Sequence, residues 1–125
     1  MIKPFTFTGR LRSFEHAFAG ISIMLKSQHN AWIHALVTLG VIAAGYLLGV
    51  SLAEWCWLVL AIMAVWTAEA LNTALELLAD VASPSYHPIV KQSKDVAAGG
   101  VLISAVGAAV IGLLILGPHA IDALL

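Results

Sequence analysis

The sequence predicts an all-α membrane protein, and three observations carry that expectation. The 125-residue chain is 61% hydrophobic and only 10% charged, where a soluble domain carries about 25% charged residues. Three apolar runs are each long enough to cross a hydrocarbon core of about 30 Å, which takes about 20 helical residues. All six Lys and Arg fall in two places: Lys3, Arg10, Arg12 and Lys26 before the first run, and Lys91 and Lys94 between the second and third. The positive-inside rule then puts the N-terminus and the second loop in the cytoplasm and the C-terminus outside. A length of 125 residues predicts a single membrane domain over 1–125. A net charge of −1 argues against a nucleic-acid partner. Cys56 stands alone in an apolar run and reads as a packing or lipid-facing residue, with no disulfide or zinc spacing around it. The N-terminal stretch has no apolar core followed by a cleavage site, so no cleavable signal peptide is expected.

The first element is a surface helix at about 12–27. Phe14, Phe18, Ile21 and Leu25 recur at helical spacing, with Arg12, Glu15, His16 and Ser22 elsewhere on the wheel; such a helix tends to lie in the interface plane. The first transmembrane helix is expected at 30–50, with His34 as its one Asp, Glu, Lys, Arg or His, and Gly49 and Ser51 mark the turn that follows. The second is expected at 54–82, roughly 42 Å at 1.5 Å per residue, and two prolines, Pro84 and Pro88, stop it. The third is expected at 93–117. Gly45 and Gly49 form a GxxxG pair, and Ala97, Ala98, Gly99 and Gly100 cluster early in the third span. Small residues let helices approach closely in lipid, and a three-helix protomer has little interior, so oligomerisation is expected.

The second span carries the chemistry. Ala68–Asp80 reads AEALNTALELLAD, and at about 100° per residue Glu69, Asn72, Glu76 and Asp80 fall within about 80° of one another. Ionisable groups at such depth are costly, so they pair, line a cavity or do chemistry. Ser93, Lys94 and Asp95 return to the same level at the start of the third span. The deeper Glu69 sits where a lipid headgroup hydroxyl can reach it; Glu76 and Lys94 sit where a water-soluble substrate can. These types suit phosphoryl transfer, which is mostly positioning and charge neutralisation. Glu76 suits magnesium, a hard ion that takes one or two carboxylates beside phosphate oxygens. Lys94, near a helix N-terminus, suits a phosphate, and Glu69 suits acceptance of the hydroxyl proton. Each member alone has a plainer reading: Glu69 and Asn72 as interhelical glue, Lys94 and Asp95 as an interfacial lysine and a helix-end charge. His29, His34 and His119 lack metal-ligand spacing and read as structural. No GxxxxGK[ST] loop is present.

EALNTALE, the Tyr-His-Pro turn and SKDVAAG together resemble the small bacterial integral-membrane lipid kinases, the diacylglycerol kinase/undecaprenol kinase family. The resemblance spans about Arg12 to Gly117. It implies a homotrimeric bundle of three-helix protomers in the bacterial cytoplasmic membrane, ATP and Mg2+ as co-substrate and metal, and a membrane lipid alcohol (diacylglycerol or undecaprenol) as acceptor. It implies Glu69 as general base; Asn72, Glu76, Lys94 and Asp95 as holders of nucleotide phosphates and metal; and Asp80, Tyr86 and His87 near the nucleotide. Arg10 or Arg12 is the matching basic residue of the surface helix. Two positions depart from the family: Gln28 stands where members carry a metal-binding glutamate, leaving an uncharged carbonyl as the second metal ligand, and His16 stands where tyrosine is frequent. KSQHNAWIH…SYHP looks nearer the undecaprenol-kinase branch. The alternative from another class is a small proton- or cation-coupled transporter using the intramembrane carboxylates; the gathering of polar groups toward one face favours an enzyme at one interface.

Overall fold

The computed structural model describes all 125 residues as four helices: α1 (Phe7–Ser27), α2 (His29–Leu48), α3 (Leu52–Ala82) and α4 (Pro88–Leu124). The last three are each long and apolar enough to cross a membrane. Their boundaries differ from the expected ones for local reasons. The first helix starts at Phe7 rather than about 12, because the Thr6 hydroxyl accepts the Gly9 N–H and caps it. Gln28, extended at φ −121° and ψ 119°, separates α1 from α2. The second helix occupies 29–48 instead of 30–50, since Gly49 takes the left-handed conformation at φ 67°, open to glycine at little cost. The third begins at Leu52 instead of 54, because Ser51 and Glu54 form a reciprocal capping box.

The largest revision concerns α4, which runs 88–124 instead of 93–117. Pro88 occupies the first helical turn, where its missing N–H costs nothing, and the His87 ring Nδ1 accepts the Ile89 N–H as the cap. At the other end Pro118 lies inside the helix, which continues to Leu124. Lys94 and Asp95 therefore lie in the second turn and beyond, not at the helix start. The helix dipole acts within the first turn, so it falls on residues 88–91 and not on Lys94.

The helices pack in antiparallel register. Along the α2–α3 interface, Gln28 meets Glu76, His34 meets Glu69 and Thr38 meets Trp66. Farther along, Gly45 lies against the Trp55 indole. Between α3 and α4, Asp80 meets Lys94 at one end and Glu54 meets His119 at the other. The buried residues of α3 (Leu58, Ala61, Val65, Glu69, Asn72 and Thr73) fall on one face at three- and four-residue spacing. That face turns from apolar to polar at Glu69. Only 11 of the 125 residues are buried, and large apolar side chains such as Leu36 (71% exposed) and Leu114 (71%) point outward. A surface of this kind calls for lipid or further subunits around it.

Gly45 permits the closest approach of α2 to α3: a Cβ there would stand 2.7 Å from the Trp55 ring. Gly45→Ala is expected to destabilise the fold by about 1–3 kcal/mol through overpacking, read as a lower unfolding midpoint in detergent. An unchanged midpoint would show that the indole moves aside freely.

Candidate active site

The polar half of the α3 face meets a different partner at each level. Deepest is Glu69, with 0% of its surface exposed. Its Oε2 lies 3.5 Å from His34 Nε2 on α2. Both Glu69 carboxylate oxygens, His34 Nε2 and Asn72 Oδ1 are buried without a hydrogen-bond partner. Buried polar groups are paired in about nine cases of ten, so four orphaned atoms along one stretch of the interface single it out as the candidate site. Thr73 adds to the local rigidity: its hydroxyl donates to the Glu69 backbone carbonyl at 2.9 Å.

Two helical turns toward the 83–87 segment, about 10 Å along the axis, Glu76 Oε2 accepts from Gln28 Nε2 at 3.0 Å. The bond leaves the second Glu76 oxygen and the Gln28 carbonyl with acceptor capacity. One turn further, Asp80 Oδ1 accepts from Lys94 Nζ at 2.9 Å. The stripe thus grades from an enclosed carboxylate, through a carboxylate–amide pair, to a partly exposed ammonium–carboxylate pair. A reacting group reaching in from lipid and an anion arriving from water could meet along it.

Other expected site residues lie off this line. Asp95 pairs with Lys91 at 2.6 Å on the surface of α4, both side chains about 60% exposed; such pairs add little to stability. Tyr86 is 78% exposed, and His87 spends its Nδ1 on capping α4. The Arg10 guanidinium sits over the Phe5 ring, 5.2 Å from its centroid, and Arg12 is exposed. Arg12 stands sixteen residues before Gln28, about 24 Å along a helix, and neither arginine forms an ion pair with the stripe. The sequence reading missed His34, grouped with the structural histidines. The signal was there: it is the one Asp, Glu, Lys, Arg or His in an apolar run of twenty residues, and the cost of depth that singles out Glu69 applies equally to it. His119 has its own partner, Glu54, at 3.0 Å at the far end of the bundle.

For a metal, no cluster of three or more His, Cys, Asp or Glu forms a free-standing site. Magnesium takes much of its shell from substrate phosphates and water and needs only one or two protein oxygens. The Glu76 carboxylate, with the Gln28 carbonyl held beside it by their hydrogen bond, fits that demand.

The prokaryotic diacylglycerol kinase family model matches residues 15–116. The chain is 38% identical over 107 residues to the undecaprenol kinase of Bacillus subtilis, covering 86% of this chain and 87% of that protein. It is 39% identical over 109 residues to the diacylglycerol kinase of a Synechocystis species, covering 86% of this chain and 62% of that protein. Nothing in these matches supports the transporter alternative. With the family model covering most of its length and the α2–α4 site inside the matched region, the chain belongs to the prokaryotic diacylglycerol kinase family, whose named relatives are lipid kinases.

Proposed function

We propose that this protein transfers the γ-phosphate of ATP to the hydroxyl of a membrane lipid alcohol at the cytoplasmic interface. The observation that carries the reading is the graded α3 stripe. Its buried end, Glu69, is placed for a hydroxyl anchored in lipid, and its open end, Asp80 and Lys94, for a polyphosphate from water. The attacking hydroxyl oxygen forms a bond to the γ-phosphorus as the bond to the β,γ-bridging oxygen breaks and ADP leaves. Glu69 takes the hydroxyl proton. Lys94 offers its ammonium to phosphate oxygens, with Asp80 holding it at the right level; Asn72 offers its amide between the two ends. Magnesium, when bound, supplies charge neutralisation for the triphosphate, and Glu76 with the Gln28 carbonyl would hold it. Asp95, Tyr86 and His87, off the stripe itself, would meet the nucleotide as it enters from the Asp80–Lys94 end.

The orientation follows from the lysine and arginine distribution, with α1 on the cytoplasmic surface and the C-terminus outside. The working unit is a homotrimer, supported by the sparse interior of the single chain and by the family resemblance. Arg10 and Arg12, remote from the stripe of their own chain, would act at its rim or at a neighbour's.

Purified protein in detergent, given γ-labelled ATP, magnesium and either diacylglycerol or undecaprenol, is expected to place label in the lipid fraction. Undecaprenol is the acceptor expected to be used faster, on the KSQHNAWIH…SYHP pattern. No transfer to either lipid would overturn the kinase reading; faster transfer to diacylglycerol would overturn only the choice of acceptor.

A further inference from the structure

We infer that His34 is a positioning residue for Glu69: its Nε2–H holds Glu69 Oε2 and leaves Oε1 free to receive the proton of the acceptor hydroxyl. The inference rests on the kinase reading above and adds to it a residue on another helix.

His34 stands out in α2 for a largely enclosed imidazole whose Nε2 has no hydrogen-bond partner. It is the single Asp, Glu, Lys, Arg or His of α2 beyond the first turn, and its side chain is 16% exposed against 1% for Glu69. Enclosing polar groups is costly, and a pair kept for stability recovers that cost through close, complete hydrogen bonding. That closure is missing: the separation is 3.5 Å, and His34 Nε2 and both carboxylate oxygens have no hydrogen-bond partner. Long contacts that tighten on substrate binding are a feature of catalytic pairs before the complex forms.

The ring is nevertheless held in place. His34 meets the Trp66 indole edge-on, centroids 6.3 Å apart at 68°, and Trp66 Nε1 donates to Thr38 Oγ1 at 3.0 Å. Thr38 stands one turn above His34 on α2, and Trp66 one turn before Glu69 on α3. The indole is thus tied to α2 on one side of the histidine while Glu69 lies on the other, and the imidazole sits between them. A carboxylate with two equivalent oxygens and no fixed donor has no preferred face; a donor on one oxygen makes the other the proton acceptor. In a neutral imidazole one ring nitrogen donates and the other accepts, and the Glu69 partner selects the form with hydrogen on Nε2.

The test compares His34→Leu and His34→Gln, each in the wild-type and Glu69→Gln backgrounds, by steady-state lipid phosphorylation. Glutamine can place an amide N–H close to where Nε2 stands; leucine keeps volume only. In the wild-type background His34→Leu is expected to lower kcat by about tenfold or more, with KM for ATP and lipid little changed, and His34→Gln to recover most of the loss. In the Glu69→Gln background His34→Leu is expected to change the residual rate hardly at all, the non-additivity of groups that act as a unit. An unchanged kcat in His34→Leu overturns the inference. So does equal impairment of the leucine and glutamine variants with lowered unfolding midpoints, or the same fold-loss in both backgrounds. The 15N NMR signals of the His34 ring give a readout independent of turnover: Glu69→Gln is expected to shift the balance between the two tautomers, and no shift counts against the pair. A fully active Glu69→Gln enzyme would instead defeat the general-base reading itself, whatever the histidine does.

Discussion

Glu69→Gln is expected to lower lipid phosphorylation by about 10²-fold or more while leaving the protein at least as stable as wild type. Both halves follow from one observation. The Glu69 carboxylate is fully buried, neither oxygen accepts a hydrogen bond, and His34 Nε2 stands 3.5 Å away, so the fold recovers little of the cost of enclosing so polar a group. Glutamine has nearly the same shape and carries no charge, but it cannot take up a proton at neutral pH. Activity and stability should therefore move apart, as they do where a fold tolerates strain for the sake of function. Activity is read from label in the lipid fraction and stability from thermal unfolding in detergent. Loss of both together would mean that the carboxylate holds α2 and α3 in register; retention of activity would remove Glu69 from the chemistry.

How much of this site is legible in the sequence depends on whether the governing interaction lies within one helix or between two. The α3 stripe is legible because Glu69, Asn72 and Glu76 share a face at fixed offsets, and helical geometry alone puts them there. The three long apolar helices are legible because each apolar run meets the length requirement without help from its neighbours. The partners are not legible. Whether Glu69 meets His34 or Thr38 depends on the relative register of α2 and α3, set by the Gly49–Ser51 turn and by the fit of Gly45 against Trp55. No periodicity within one segment reports that. The start of α4 shows the same limit from the other side. Pro88 reads as a helix stop, and it does lie beyond the end of α3; in the same position it opens α4. That early start puts Lys94 more than a turn up the helix, where it reaches back to Asp80 instead of standing at a helix terminus. The Ser51–Glu54 capping box was readable in principle as S-x-x-E before an apolar run, and it accounts for the two residues by which α3 begins early.

Magnesium dependence should respond in opposite directions to two substitutions at one hydrogen bond. Gln28 Nε2 donates to Glu76 Oε2 at 3.0 Å, so a neutral amide shields one face of the carboxylate and leaves a single negative charge for a cation. Glu76→Gln keeps an amide oxygen able to accept from Gln28, so the fold should persist. With that charge gone, phosphate transfer is expected to fall by about 10²-fold or more and to need more magnesium for what remains. Gln28→Glu should do the reverse. Two carboxylates would face each other at hydrogen-bond distance, where like charges repel strongly, and a divalent cation between them would relieve that repulsion. The metal-free variant is therefore expected to unfold at a lower temperature than wild type, to be stabilised more by added magnesium, since a ligand that binds only the folded form raises its stability, and to reach half-maximal activity at a lower magnesium concentration. Unfolding midpoints with and without magnesium, beside a magnesium titration of the kinase assay, measure both. A Gln28→Glu protein as stable as wild type without metal and no more responsive to it would show that Glu76 and residue 28 do not share a cation, and would move the metal elsewhere along the stripe.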